Sequence, residues 1–331
     1  MTAAYSDPGE RRTFVPHDRT SPPAGAGLDP GRGLTERLVT LPDGRTLRTV
    51  AAGEGPGPLV LFEAGMSAPA ACWVHTQREI GAHTRTLSYD RAGYGGSDVD
   101  PRPRTLDRLV DDLTALLDVL DERAPVVLVG HSWGGPVIRL FAERHPARVA
   151  GIVFVDSTVA ETMPAKNAWL VAGSFRVMGF LARFGGAGLI ERLTLPHGTS
   201  PDIDRADVAI MLRDYACVRA MRAGAREAEH IVSARPLVRR LQQAGTPDVP
   251  TICVQGGRVD RGTARTRLLL NDTAERLMHD TRGGRTVVVP EAGHLVPQER
   301  PGPVRDAVIE VLRSARTRPG AAGPASQETA D

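Results

Sequence analysis

Cysteine is scarce in this chain: three residues, Cys72, Cys217 and Cys253, in 331. They are odd in number and far apart, so neither a disulfide framework nor a zinc-ligand spacing is present. That usage fits a reducing compartment and predicts a cytoplasmic protein. Aromatic residues make up only 4%. No apolar run approaches the length of a membrane span, so no membrane partner is expected on that ground. The segment from Met1 to Gly33 has no apolar core of the kind a signal peptide carries. Charge of one sign is not in excess either. There are 41 basic and 39 acidic residues, a net charge of +2, and no long basic run, which argues against a nucleic-acid partner. Arginine heavily outnumbers lysine, a compositional bias rather than a site. H-E-x-x-H, a P-loop and a strand-linked G-x-G-x-x-G are all missing, so neither a metal nor a nucleotide cofactor is expected.

What is present is enough apolar material, 41% of residues, for a sizeable core. Residues 1–34 and 316–331 are polar, lack periodicity and read as disordered tails. Between them strand and helix patterns alternate. Leu38–Leu41 and Thr46–Ala51 form a hairpin about Pro42-Asp43-Gly44-Arg45. Strands follow at Leu59–Phe62, Arg85–Tyr89, Val126–Val129, Val149–Val155, Pro250–Val254 and Thr286–Val289. Helices are predicted over Ala70–Gly81, Leu106–Asp121, Thr263–His279 and Pro303–Ala315. Strand signals stop between Asp156 and Pro250, where Ala168–Leu195 and Asp204–Leu241 read as interrupted helices. This order predicts an α/β fold, a mostly parallel central sheet with helices on both faces and an antiparallel edge. The core is expected from 35–156 and 246–315. A helical insertion over 157–245 is expected above the C-terminal strand ends, where such sheets place their ligands.

The chain is organised around Val126–Leu140. A β-branched apolar run leads into Gly130-His131-Ser132-Trp133-Gly134, and a helix pattern leaves it. G-x-S-x-G at a strand-to-helix turn holds the central serine clear of the backbone, with glycines removing the crowding on either side. The Trp133 N–H then lies at the start of a helix, where it meets a developing oxyanion.

Across residues 36 to 315 the chain resembles the α/β-hydrolase superfamily, in its serine-nucleophile branch with a helical cap. Gly130–Gly135 is similar to the nucleophile elbow. Asp90-x-x-Gly93-x-Gly95-x-Ser97 is similar to the loop after the fourth strand. Gly257-Arg258-Val259-Asp260 resembles the acid loop, and Gly293-His294 the histidine loop. The resemblance implies a triad of Ser132, Asp260 and His294, in which the imidazole takes the serine proton and the carboxylate steadies the imidazolium. Some members place the acid one strand after the nucleophile, which makes Asp156 the alternative. Asp90 is expected to organise its own loop.

An oxyanion hole needs two donors. The first is the Trp133 N–H. The second is expected from Met66, although Glu63-Ala64-Gly65-Met66 stands where most relatives carry His-Gly. Glu63 is the candidate substitute anchor, with Arg91 as its partner. Epoxide hydrolases and haloalkane dehalogenases of this fold use an aspartate at the elbow, and Ser132 argues against both. The expected activity is hydrolysis of a small-molecule ester, thioester or lactone through a Ser132 acyl-enzyme, without a cofactor. A non-hydrolytic or C–C bond-cleaving enzyme, or a ligand-binding protein on the same scaffold, are the alternatives. Trp169, Leu170, Phe175, Met178, Phe180, Leu181 and Phe184 are candidates either for an acyl pocket or for the insertion's own core. Arg213, Arg219 and Arg222 are candidates for favouring an acidic substrate, with plain solvation as their default.

Overall fold

A computed structural model describes residues 33–259 and 262–317. The fold begins with a hairpin, β1 (Leu34–Thr40) and β2 (Thr46–Ala52), with Gly44 in the left-handed region at the turn. β1 is longer than its alternation suggests and begins at Leu34, a buried residue that the sequence assigns to the tail. At the other end α11 runs on to Arg316, one residue into the expected tail; residues 1–32 and 318–331 lie outside the described residues.

The remaining strands are β3 (Val60–Glu63), β4 (Thr86–Tyr89), β5 (Val126–His131), β6 (Val149–Val155), β7 (Thr251–Gly256) and β8 (Arg285–Val289). They form one sheet in the order β1-β2-β4-β3-β5-β6-β7-β8. β1 and β2 pair antiparallel, as do β2 and β4; every other pair is parallel. Parallel strands covered on both faces need apolar side chains on both. Leu128, Ile152 and Phe154 accordingly enter one core, while Val127, Val129, Val153 and Val155 enter the other. The first core is closed by α2 (Leu106–Val119), α3 (Gly134–Arg144) and α9 (Ala264–His279). The second is closed by α1 (Val74–Gly81) and α11 (Pro301–Arg316). α10 (Val296–Glu299) is a single turn leading into α11.

Between β6 and β7 the described chain is helical: α4 (Ala168–Arg183), α5 (Ala187–Thr194), α6 (Arg205–Tyr215), α7 (Val218–Ala228) and α8 (Ile231–Ala244). Ile190, Ala216 and Met221 form a small core of its own, with Phe175 and Met178 against it. Ion pairs tie it to the rest of the fold: Arg78 of α1 to Asp207, Arg48 of β2 to Asp214, and Arg91, just after β4, to Glu227.

Leu128 is fully buried at the centre of the larger core. Leu128→Ala removes its apolar area and leaves a cavity, so we expect a loss of about 3 kcal/mol in urea unfolding. A loss below about 1 kcal/mol would show that the sheet is not close-packed on this face.

Candidate active site

The site forms where β5 and β6 end side by side. His131 pairs with Val155 across these strands, so the next residues, Ser132 and Asp156, are neighbours. Each leaves its strand with a left-handed backbone, φ 51° at Ser132 and 40° at Asp156. Such a conformation costs a non-glycine residue of order 1–3 kcal/mol and is held only by surrounding structure. Here Ser132 N donates to Val155 O at 3.1 Å and Asp156 N to Val254 O at 2.8 Å. The glycines make the serine turn feasible. A Cβ on Gly134 would fall 2.4 Å from Glu63 O, and one on Gly130 would fall 2.7 Å from the Ile138 side chain.

His294 reaches across from the loop after β8. Its Nε2 lies 2.9 Å from Ser132 Oγ, and its Nδ1 lies 2.7 Å from Asp156 Oδ2. A carboxylate at Nδ1 requires the proton there, which leaves Nε2 free to accept the serine proton. Asp156 is fully buried. Its Oδ1 accepts from Gly256 N at 2.9 Å, and Arg267 of α9 holds both carboxylate oxygens. Burial pushes the Asp156 carboxyl up, but His294 and Arg267 outweigh it and hold the group below its ordinary value. The carboxylate at His294 is thus the one read as the alternative from the sequence. Asp260 lies outside the described residues.

His131 was not singled out by its sequence position, yet it fixes the histidine loop. Its Nε2 lies 2.9 Å from the His294 carbonyl, so this nitrogen carries the proton and donates it. The ring stands between Trp73 and His294. Burial, with His294 beside it, lowers its pKa to about 4.

The turn after β3 faces the serine from the other side. A Cβ on Gly65 would lie 3.2 Å from Ser132 Cβ, and Met66 lines the same cavity as Ser132 and Trp133. The support for this turn is Arg91, which spends all five N–H groups. Nη1 donates to Glu63 Oε1 and to Ala64 O, each at 2.6 Å. Nη2 donates to Gly65 O at 2.7 Å and to Glu227 Oε2 at 2.8 Å, and Nε donates to Glu227 Oε1 at 2.9 Å. Tyr89 Oη donates to the other oxygen of Glu63 at 2.5 Å. Burial raises the Glu63 carboxyl above its ordinary value, opposed by Arg91 and Tyr89. Glu63 and Arg91 therefore form the expected anchor. Glu227, from the helical segment, completes it and was not foreseen.

Asp90 is buried and structural in its contacts: it accepts from Ala70 N at 2.8 Å and Gly96 N at 3.0 Å and pairs with Arg48. Two cavities border Ser132 and His294: one of about 480 Å³, whose walls include Asp156, Arg258 and Arg267, and one of about 270 Å³ beside Met66 and Trp133. The walls of the smaller include Met66, Val171, Phe175, Leu195 and Met211, and among the described residues lining it none is Asp, Glu, Lys or Arg. Of the apolar candidates in α4 only Phe175 reaches it. Met178 packs inside the helical segment, while Trp169, Leu170, Phe180 and Phe184 are exposed. Two of the candidate arginines are engaged elsewhere: Arg213 holds Asp214 and Arg219 holds the Ser97 carbonyl. Cys72 also lines the smaller cavity, but burial first, with Asp90 and Asp214, pushes its thiol well up and away from reactivity.

The chain belongs to the alpha/beta hydrolase family, whose model matches residues 59–307. Epoxide hydrolase A of Mycobacterium tuberculosis is 28% identical over 336 residues, covering 86% of this chain and 99% of that protein. Mouse epoxide hydrolase 4 is 32% identical over 180 residues, 52% of this chain and 49% of that protein. Among the first curated relatives matched, the chain spans half of their length or less. The enol-lactonase of Burkholderia xenovorans superposes with a TM-score of 0.65 at 22% identity, over 84% of this chain and all of that one. At that identity the superposition shows a shared fold.

The His131 shift has a measurable consequence. The unfolded chain takes up this proton near the ordinary 6.5, and the folded chain only near about 4. Neutral His131 therefore contributes its full stability above about pH 6.5, and the contribution is lost as pH falls from there to about 4. Melting temperatures should drop across that window, with a shallower drop for His131→Gln, whose amide still donates to His294 O. Equal slopes would contradict the assignment.

Proposed function

We propose that the chain is a serine hydrolase of ester-type substrates (carboxylic esters, thioesters or lactones), acting through Ser132, His294 and Asp156. The observation that carries this reading is the unbroken line of hydrogen-bonding atoms from Ser132 Oγ through the His294 ring to a buried carboxylate. In this reading Ser132 Oγ attacks the acyl carbon while its proton passes to His294 Nε2. The oxygen or sulfur leaving group takes that proton as its bond to the acyl carbon breaks. Water then gives a proton to His294, attacks the acyl-enzyme and releases the acid, and Ser132 recovers its proton. The Trp133 and Met66 N–H groups are the assigned oxyanion donors, and Arg91 keeps the Met66 turn in place.

Residues 157–245 act as the cap in this account, because α4 and the end of α5 supply one wall of the cavity. The uncharged, largely apolar lining of the smaller cavity favours an apolar acyl group there. The names of the matched epoxide hydrolases suggest a different reaction, ring opening by an enzyme carboxylate. The elbow of this chain carries Ser132 instead, which supports acyl transfer.

The test is intact-mass labelling with a fluorophosphonate. We expect one adduct on the parent protein, none on Ser132→Ala, and labelling slowed at least a hundredfold in His294→Ala, roughly the worth of a general base. A folded parent that neither labels nor turns over any ester would sink the acyl-enzyme reading.

A further inference from the structure

The helices α4 and α5 have two apolar faces, and the fold uses only one. Inward, Val171 and Phe175 line the cavity, and Ala172 and Gly179 are buried. Outward, Trp169, Val177 and Phe180 of α4 and Phe184 at its C-terminal cap follow one stripe, since positions 8, 11 and 15 residues apart return to the same side of a helix. Leu189 and Leu193 stand one turn apart on α5. All six are between 48% and 70% exposed, and the rings of Phe180 and Phe184 are 4.9 Å apart. Large apolar side chains lined up along one exposed helix face, rather than scattered, mark a site of interaction.

The charge around this face chooses the partner. From Lys166 to Leu195 there are four cations, Lys166, Arg176, Arg183 and Arg192, and one carboxylate, Glu191. All four cations are exposed, Arg176 while also pairing with Glu229. A second copy of the chain packed here about a twofold axis would set these cations against themselves. A surface of anionic headgroups satisfies both parts, accepting the apolar stripe among acyl chains and pairing with the cations.

We propose that the outward face of α4 and α5 docks the protein, lying flat, on a membrane surface carrying anionic lipids. No helix among the described residues is long and apolar enough to cross a membrane. Lying in the interface needs only one apolar face, so the expectation of no membrane partner, drawn from span length alone, does not bear on it. If the proposed esterase chemistry holds, an apolar substrate dissolved in that layer would reach the cavity past α4, which touches both. Docking itself requires none of that chemistry, and vesicle binding is read without turnover.

Tryptophan fluorescence offers a direct readout. The chain has three tryptophans; Trp73 and Trp133 are buried, so the exposed Trp169 is the one an adsorbing surface changes. The experiment adds vesicles of equal parts phosphatidylcholine and phosphatidylglycerol, or of phosphatidylcholine alone, to the full chain, and follows emission and co-sedimentation. With the anionic vesicles we expect a blue shift and co-sedimentation. Phe180→Ser/Phe184→Ser should abolish both, with melting and fluorophosphonate labelling unchanged. Arg183→Gln/Arg192→Gln should weaken binding about twenty-five-fold, the product of about fivefold for each cation. Absence of binding to the anionic vesicles, equal binding to phosphatidylcholine alone, or binding unaffected by Phe180→Ser/Phe184→Ser would each overturn the proposal. A dimer in sedimentation that the phenylalanine variant dissolves would assign the face to a second copy instead and overturn it equally.

Discussion

Two parallel strands that end side by side in left-handed residues set the geometry of this molecule. β5 and β6 are in register to their last residues, so Ser132 and Asp156 emerge as neighbours at the same edge of the sheet. The backbone strain at both positions turns each side chain out of the strand direction. Neighbouring strands make that strain affordable: Ser132 N bonds to β6 and Asp156 N to β7. His294 then has to come only from the far end of the sheet, and His131 holds its backbone there. The glycines of the elbow exist because Glu63 O and Ile138 come within van der Waals range of the turn.

A second constraint links the sheet to the helical segment. Arg91 is a buried cation between two buried carboxylates, and removing one partner of such a group costs about 3–5 kcal/mol because the rest is left uncompensated. The same guanidinium binds the carbonyls of Ala64 and Gly65. The turn that faces Ser132 is therefore held by a residue that also grips α7 through Glu227. Any shift of α7 is felt at the serine through two hydrogen bonds and one side chain.

Much of this was legible in the sequence. The alternation of apolar runs and helix patterns gives the strands and their parallel pairing, since both follow from local periodicity and from how connections pack. The serine turn was legible because its glycines are a local steric requirement. So was the anchoring pair of Glu63 and Arg91, two charged residues at the ends of adjacent strands. Partners that depend on long-range packing were not legible. Arg267 sits on α9, far in the chain from Asp156, and Glu227 sits in a helix with no motif around it. His131 lies within the G-x-S-x-G turn, but its role comes from a carbonyl 163 residues later. The apolar side chains of α4 carried an ambiguity that periodicity cannot resolve, because that helix is apolar on opposite sides. Phe175 faces the cavity while Phe180 and Phe184 face outward.

The central claim is that Asp156, held by Arg267 and Gly256, is the carboxylate that works with His294 on Ser132. The most direct measurement is the rate of fluorophosphonate labelling in Asp156→Asn and in Asp260→Asn, with folding checked by melting. Replacing the carboxylate that orients the histidine costs roughly 10³–10⁴ in rate, because the imidazole is then held in the wrong tautomer. The account predicts a loss of that size in Asp156→Asn and a rate within about threefold of the parent in Asp260→Asn. The reverse pattern, a folded Asp156→Asn that labels normally beside an inactive Asp260→Asn, would contradict it.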